Sequence, residues 1–243
     1  MRKFFVTLLC CFVPDRKLRH ALRAKFGCDN KKLNLKLVVI ENGVERKPTL
    51  KECLSFSIHG SGQNNVVTVK APVSPLLRLR INFANSDDNV IYLHENVQGQ
   101  WSIGCYDFGN RVEIGKDAGS SSVFISCIGH TVKIGHHCMF SNNIHIWGDG
   151  HSVLDFNTGE VLNKPNRPIV VGDHCWIGER VTLTKNAQLP NDCIVGIASV
   201  VTKKFTEEHS VIAGAPAKVV KTGITWAGAS PLTYESKANK QKS

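Results

Sequence analysis

Between residues 169 and 205 an aliphatic side chain returns every six positions, at Val171, Ile177, Leu183, Leu189, Val195 and Val201. A second small or apolar residue follows each after four places, at Cys175, Val181, Ala187, Cys193, Ser199 and Phe205. An α-helix scatters positions spaced by six around its circumference, and an ordinary strand needs apolar residues far more often. Period six fits a parallel β-helix, in which each hexapeptide makes one short face, three faces make a coil, and stacked coils bury the repeated aliphatics. Gly172, Asp173, Gly178, Asn186, Asn191, Asp192 and Gly196 fall at the predicted corners, where tight turning costs least.

Upstream, the sixes start at Ile128, continue through Ile134, Phe140 and Ile146, and then stop. Residues 148–168, GDGHSVLDFNTGEVLNKPNRP, are polar and carry three glycines and two prolines. They predict a loop thrown out of the coil, and long loops on a regular scaffold commonly carry function. From residue 31 to 94 the pattern is strand-like. A looser repeat opens at Asn65, Asn89, Arg111 and Thr131, with steps of 24, 22 and 20. Residues 28–102 are therefore expected to form irregular early coils or a cap, because the end coils of a solenoid must close an exposed edge.

The two ends differ from the body. Residues 1–27 combine an apolar run, Pro14 and a basic amphipathic helical segment with Leu18, Leu22 and Phe26 on one face and Arg16, Arg19 and Arg23 on another. This fits either an interfacial helix on the anionic inner face of the cytoplasmic membrane or a helix packed on protein. No small-x-small cleavage site follows the apolar run, which favours a cytoplasmic protein with peripheral membrane contact over a secreted one. Residues 223–243 lack periodicity and predict a flexible basic tail, with Trp226 as a local anchor.

The formal net charge is +10, but residues 1–27 carry +6 of it and residues 203–243 carry +4, leaving the body neutral. A nucleic-acid binder would carry its positive stripe on the folded body, so nucleic acid is not an expected partner. Nine cysteines are present and none forms a C-x-x-C pair. Cys138, Cys175 and Cys193 each stand at the fifth place of a hexapeptide and read as small core residues.

VVGDHCWIGERV, VGIASVVTKKF and VIAGAPAKVVK resemble the hexapeptide-repeat acetyltransferases, most of all the branch that O-acetylates bacterial surface sugars, sialic acid polymers included. The resemblance covers about residues 103–226 and implies an all-β fold: a left-handed parallel β-helix over residues 103–222 with an extruded loop, preceded by the N-terminal amphipathic helix. Handedness comes from the resemblance alone, since strand physics favours right-handed crossovers. Also implied are acetyl-CoA as co-substrate without a metal, a capsular or lipopolysaccharide glycan as acceptor, and a homotrimer with sites between subunits. Three alternatives stay open. One is an acetyltransferase of antibiotics or nucleotide-sugars. Another is a zinc carbonic anhydrase on the same scaffold, with His130, His136, His137, His145 and His174 as ligand candidates. The third is a non-catalytic trimerising scaffold.

Acetyl transfer to a hydroxyl needs a base for one proton, and a neutral imidazole suits it. The resemblance implies that His151, in DGHS, is that base, and Asp149 or Asp155 could orient it. Trp176, in CWIG, occupies an outward hexapeptide position where a large aromatic has no core role. The resemblance assigns it to the donor and acceptor cleft. Asn143, in SNN, is either an oxyanion donor or part of a corner asparagine ladder. Trp147 and His145 are candidates for the acceptor side. For coenzyme A, the resemblance points to the backbone at Ala198 and Ser199, with Lys203, Lys204 and Lys218 for the phosphates and Lys185 and Arg180 as helpers. Ile197 stands in GIAS where relatives often carry a small residue, which would reshape the donor groove. Neither a Walker-type loop nor a dinucleotide fingerprint is present.

Overall fold

A computed structural model describes residues 33–148, 150–164 and 168–242. The amphipathic segment 1–27 and Asp149 lie outside the described residues. The chain starts with β1 (Leu33–Glu41), turns back through β2 (Val44–Arg46) and the one-turn α1 (Leu50–Cys53), and continues as β3 (Phe56–Gly60), β4 (Gly62–Lys70) and β5 (Arg78–Phe83). Next come β6 (Val90–Leu93), β7 (Gln98–Tyr106), β8 (Arg111–Ile114) and β9 (Gly119–Ile128). Short strands follow: β10 (Thr131–Ile134), β11 (Met139–Phe140) and β12 (Ile144–Trp147) before the loop, then β13 (Ile169–Val171), β14 (Trp176–Ile177) and β15 (Thr182–Thr184). The last coil holds β16 (Gln188–Leu189), β17 (Ile194–Val195) and β18 (Val200–Val201), and the chain ends with β19 (Ser210–Gly214), β20 (Ala217–Thr222) and α2 (Pro231–Lys242).

These strands stack as a three-faced parallel solenoid. The first face runs β1, β4, β6, β8, β10, β13 and β16. Beside it, β3, β5, β7 and β9 pair in parallel as broad strands. β9 bends: its first residues pair with β11 and its later ones with β12. That bend divides the broad sheet into a second face, β11, β14, β17 and β19, and a third, β12, β15 and β18. Hexapeptides become regular only beyond it, because before β10 one long strand serves two faces and no separate corner interrupts it. All six repeated aliphatics from Val171 to Val201 are buried, as are their six partners from Cys175 to Phe205.

The early coils correct the sequence reading in two places. Val90 lies opposite Arg111 and Ile91 opposite Val112, so the counterpart of Asn89 is Asn110, and the match of Asn89 to Arg111 was one residue late. A one-residue slip exchanges inward and outward positions, and burial rejects it. The true column is a buried asparagine ladder. The Asn89 amide donates to Asn65 Oδ1 at 2.6 Å, and the Asn110 amide donates to Asn89 Oδ1 at 2.8 Å. Ile128 is only half-buried, while Cys127 beside it is buried, so the regular core series begins at Ile134.

Residues 33–53 are both rung and cap. β1 pairs in parallel with β4, and β2 returns antiparallel on its outer edge. Thr49 and Glu52 form a reciprocal capping box on α1. Arg46 donates to Glu52 at 2.8 and 2.9 Å and to Glu41 at 2.6 Å, tying the cap together. The guanidinium, helped by the Thr49 hydrogen bonds, holds the Glu52 carboxyl down at about 2.

At the other end β19 and β20 form an antiparallel hairpin that closes the solenoid. The tail differs from the flexible segment expected. Ser230 accepts from the Thr233 and Tyr234 backbone N–H groups through its hydroxyl and carbonyl, and Pro231 opens α2. A serine cap before a proline at the first helical position is a helix start that periodicity alone does not reveal. The thiols of Cys138, Cys175 and Cys193 are buried in the core, and burial pushes the Cys105 thiol up to about 12.

Candidate functional site

The extruded loop leaves the third face directly after Trp147, at the corner marked by Gly148. Gly148 is buried over His130, and a Cβ on it would sit 3.1 Å from both the His130 ring and the Ser126 carbonyl. A larger residue here would have to push the His130 ring or the Ser126 carbonyl aside by a few tenths of an ångström. Beyond it, residues 153–162 fold into a small antiparallel ribbon. Leu154 bridges Val161, and the Leu162 N–H donates to the Val153 carbonyl. Gly159, at φ +71, completes its turn.

His151 is exposed at the base of this ribbon. Its backbone is held by a residue that the sequence reading passed over. The Asn163 amide donates to the His151 carbonyl at 2.9 Å, and its Oδ1 accepts from the Val153 N–H at 2.7 Å. Asn163 therefore clasps both sides of the turn that carries the imidazole. Asp155 has a local occupation: its Oδ1 accepts from the Asn157 and Thr158 N–H groups at 2.9 and 2.8 Å. Those bonds, Thr158 first, lower its pKa and make it the turn's cap.

Register gathers other candidates. His145 lies opposite Thr182, which lies opposite Val200. Two places earlier, Asn143, Arg180 and Ala198 accordingly stack on one corner, and all three are left-handed, at φ +54, +58 and +56. Arg180 and Asn143 are exposed there, and Ile197 is exposed beside Ala198. The Ala198 N–H is engaged by the Glu179 carbonyl. Ser199 is buried: its hydroxyl accepts from Gly214 N–H at 3.1 Å and its carbonyl from Thr182 N–H at 2.9 Å, so its hydroxyl serves the fold. Lys185 and Lys203 follow Thr184 and Thr202 at the next corner, beside the loop root. Lys204 bridges Gln188 there, and Lys203 lies 5.4 Å over the Phe205 ring. Lys218 sits apart, on β20.

The two tryptophans do not meet. Trp147 is outward on the third face, with its ring centroid 6.5 Å from that of Phe124, and the His145 ring lies 6.1 Å from the same Phe124. Trp176 is outward on the second face, and its indole N–H donates to Ser141 Oγ at 3.4 Å. Trp226 bends the tail back along that face. It stacks on His174 at 4.6 Å and 11°, donates to the His174 carbonyl at 2.8 Å, and comes within 6.2 Å of Trp176. The proposed zinc ligands are dispersed. His130 is buried under the loop, His136 Nδ1 accepts from Lys116 N–H, His174 Nδ1 meets Asp192, and His145 is outward on another face. His130 also caps the asparagine ladder, its N–H donating to Asn110 Oδ1 at 3.2 Å.

No protein-family model matches the chain. Individual proteins do. The polysialic acid O-acetyltransferase of Escherichia coli O1:K1 is 30% identical over 120 residues, which are 49% of this chain and 37% of that protein. The putative lipopolysaccharide biosynthesis O-acetyl transferase WbbJ of Escherichia coli K12 is 28% identical over 151 residues, 58% of this chain and 71% of that one. The crystal structure of the polySia-specific acetyltransferase NeuO superposes with a TM-score of 0.65 over 78% of this chain and 99% of NeuO, at 22% identity. The chain is similar in sequence to these O-acetyltransferases and in fold to NeuO. With these acetyltransferases it shares the left-handed parallel β-helix. The chain spans little more than a third of the length of the polysialic acid relative.

Proposed function

We propose that this protein transfers the acetyl group of acetyl-CoA to a hydroxyl of a cell-surface glycan. The sequence likeness to O-acetyltransferases of polysialic acid and lipopolysaccharide carries the reading. His151, exposed on a clasped turn, suits the base. Its neutral imidazole takes the hydroxyl proton as the sugar oxygen attacks the thioester carbonyl. The tetrahedral centre then collapses, the C–S bond breaks, and the thiolate takes the proton back. Donor and acceptor are bound together and no acetyl-enzyme forms. Asp149 is the remaining candidate to orient the imidazole from the loop, since Asp155 caps its turn.

For the donor, the corner of Asn143, Arg180 and Ala198 offers an amide and a cation in one column, with Lys203, Lys204 and Lys185 on the neighbouring corner for phosphates. Lys218 is the outlying member of that set. A homotrimer is favoured by two features. His151 follows the third face while Trp176 stands on the second, and a neighbouring subunit would bring their roles together. The loop also exposes Val153, Leu154, Phe156 and Leu162, apolar side chains suited to a subunit contact. No helix among the described residues is long and apolar enough to cross a membrane. Action at the inner face of the cytoplasmic membrane would depend on residues 1–27.

Mass spectrometry of acetyl-CoA reactions tests the reading, using sialic acid and its polymers, other capsular glycans, galactosides and chloramphenicol as acceptors. Wild type and His151→Ala are run together. Acetyl transfer to one glycan, lost in the variant, is expected. Transfer to chloramphenicol alone would move the acceptor to small molecules, and failure to bind acetyl-CoA would sink the proposal.

A further inference from the structure

The early coils carry a cavity that the catalytic reading leaves unused. It has a volume of about 710 Å³ and is lined on its polar side by Ser57, His59, Arg78, Arg80, Gln100 and Ser102. Leu54 and Phe56 give it an apolar edge, and no carboxylate lines it among the described residues. Arg80 is exposed and forms no ion pair among the described residues. Arg78 is anchored by hydrogen bonds from Nη1 to the Pro75 and Leu77 carbonyls at 2.9 and 2.7 Å. His59 Nε2 lies 2.8 Å from Ser57 Oγ. Two guanidinium groups with no acid among the described residues to neutralise them, set among hydroxyls and an amide, recognise an oxyanion.

The position of the cavity narrows the class of ligand. Ser57 pairs with Arg80, Arg80 with Ser102, Ser102 with Phe124, and Phe124 with His145. One outward column therefore runs from the cavity to the face that bears Trp147 and the root of the His151 loop. Three rungs separate Arg80 from His145, about 14 Å at the usual strand spacing. A single sugar does not span this distance, whereas an oligosaccharide does.

We infer that the cavity at Arg78 and Arg80 is a second glycan-binding subsite, which holds a sugar carboxylate of an acidic polymer while another residue of the same polymer lies at the transferase centre. This rests on the acetyltransferase reading above. The cavity contributes affinity and a preference for chain length, and it touches no reacting atom.

The test measures binding by calorimetry without acetyl-CoA, and acetyl transfer separately. The probes are an α2,8-linked sialic acid hexamer, the same hexamer with its carboxyls reduced, and a phosphodiester-linked glycerol oligomer. Wild type is expected to bind the native hexamer at least about tenfold more tightly than the reduced one, and Arg80→Gln to lose about the same factor, the loss of one charged hydrogen-bonded contact. Arg80→Lys, which keeps the charge without the fork, should fall between. Equal hexamer binding by wild type and Arg80→Gln, or a preference for the phosphodiester oligomer, overturns the subsite. Arginine-dependent binding without acetyl transfer to any acceptor would instead overturn the activity and leave the subsite standing.

Discussion

The Asn163 side chain donates to the backbone carbonyl of His151 while accepting from the N–H of Val153, so one amide fixes the turn that presents the candidate base. A reacting group displaced by about an ångström can lose on the order of a hundredfold in rate. Asn163→Ala should therefore lower kcat about 10- to 100-fold with little change in acetyl-CoA affinity. Asn163→Asp keeps the acceptor for Val153 but loses the donor to His151, and should lie between. Steady-state kinetics beside direct acetyl-CoA binding decides this, and unchanged turnover in Asn163→Ala would rule out the clasp as a positioning device.

Trp226 docks the tail on the second face by stacking on His174 and bonding to its carbonyl. In Trp226→Ala the solenoid should stay folded while the segment after β20 opens. Trypsin cleavage at Lys221, followed by mass spectrometry, should become markedly faster in the variant than in wild type. Equal rates would mean that α2 or Ile224 holds the tail without Trp226.

Asn89 is fully buried and is bonded on both sides of its rung. Asn89→Ala leaves the Asn65 and Asn110 amide groups with broken partners in the core, at a cost of about 2–4 kcal/mol. Chemical denaturation followed by circular dichroism measures it. A loss below about 0.5 kcal/mol would show that the ladder re-forms without its middle member.

The Arg46 and Glu52 pair predicts a specific acid response. The folded-state pKa of Glu52 is depressed to about 2, below the value near 4.3 expected for an unfolded chain. The carboxylate thus stabilises the fold fully above about pH 4.3, and this contribution is lost as pH falls toward 2. Glu52→Gln preserves an acceptor for the capping box but has no charge to lose. Its stability deficit relative to wild type should be constant from pH 5 to 7 and shrink on acidification. A deficit independent of pH down to 2.5 would contradict the ion pair.

Alternation at six identifies the inward residues from Ile134 to Phe205 without any tertiary information, because each hexapeptide must bury its aliphatic against the same interior. The same logic locates the loop by where the period stops, while the choice of His151 within it is what the family resemblance implies. The dense corner motifs carry the family likeness for the same reason, being local in sequence. The tertiary structure decided everything that depends on which rungs meet. It set Asn110, not Arg111, opposite Asn89, and stacked Asn143, Arg180 and Ala198 from positions 37 and 18 residues apart. It also left Trp147 and Trp176 on different faces and folded Trp226 back onto His174. Periodicity reports whether a side chain points in or out. Register and loop closure choose its neighbours, and they are fixed only when the long-range hydrogen bonds of the coils form.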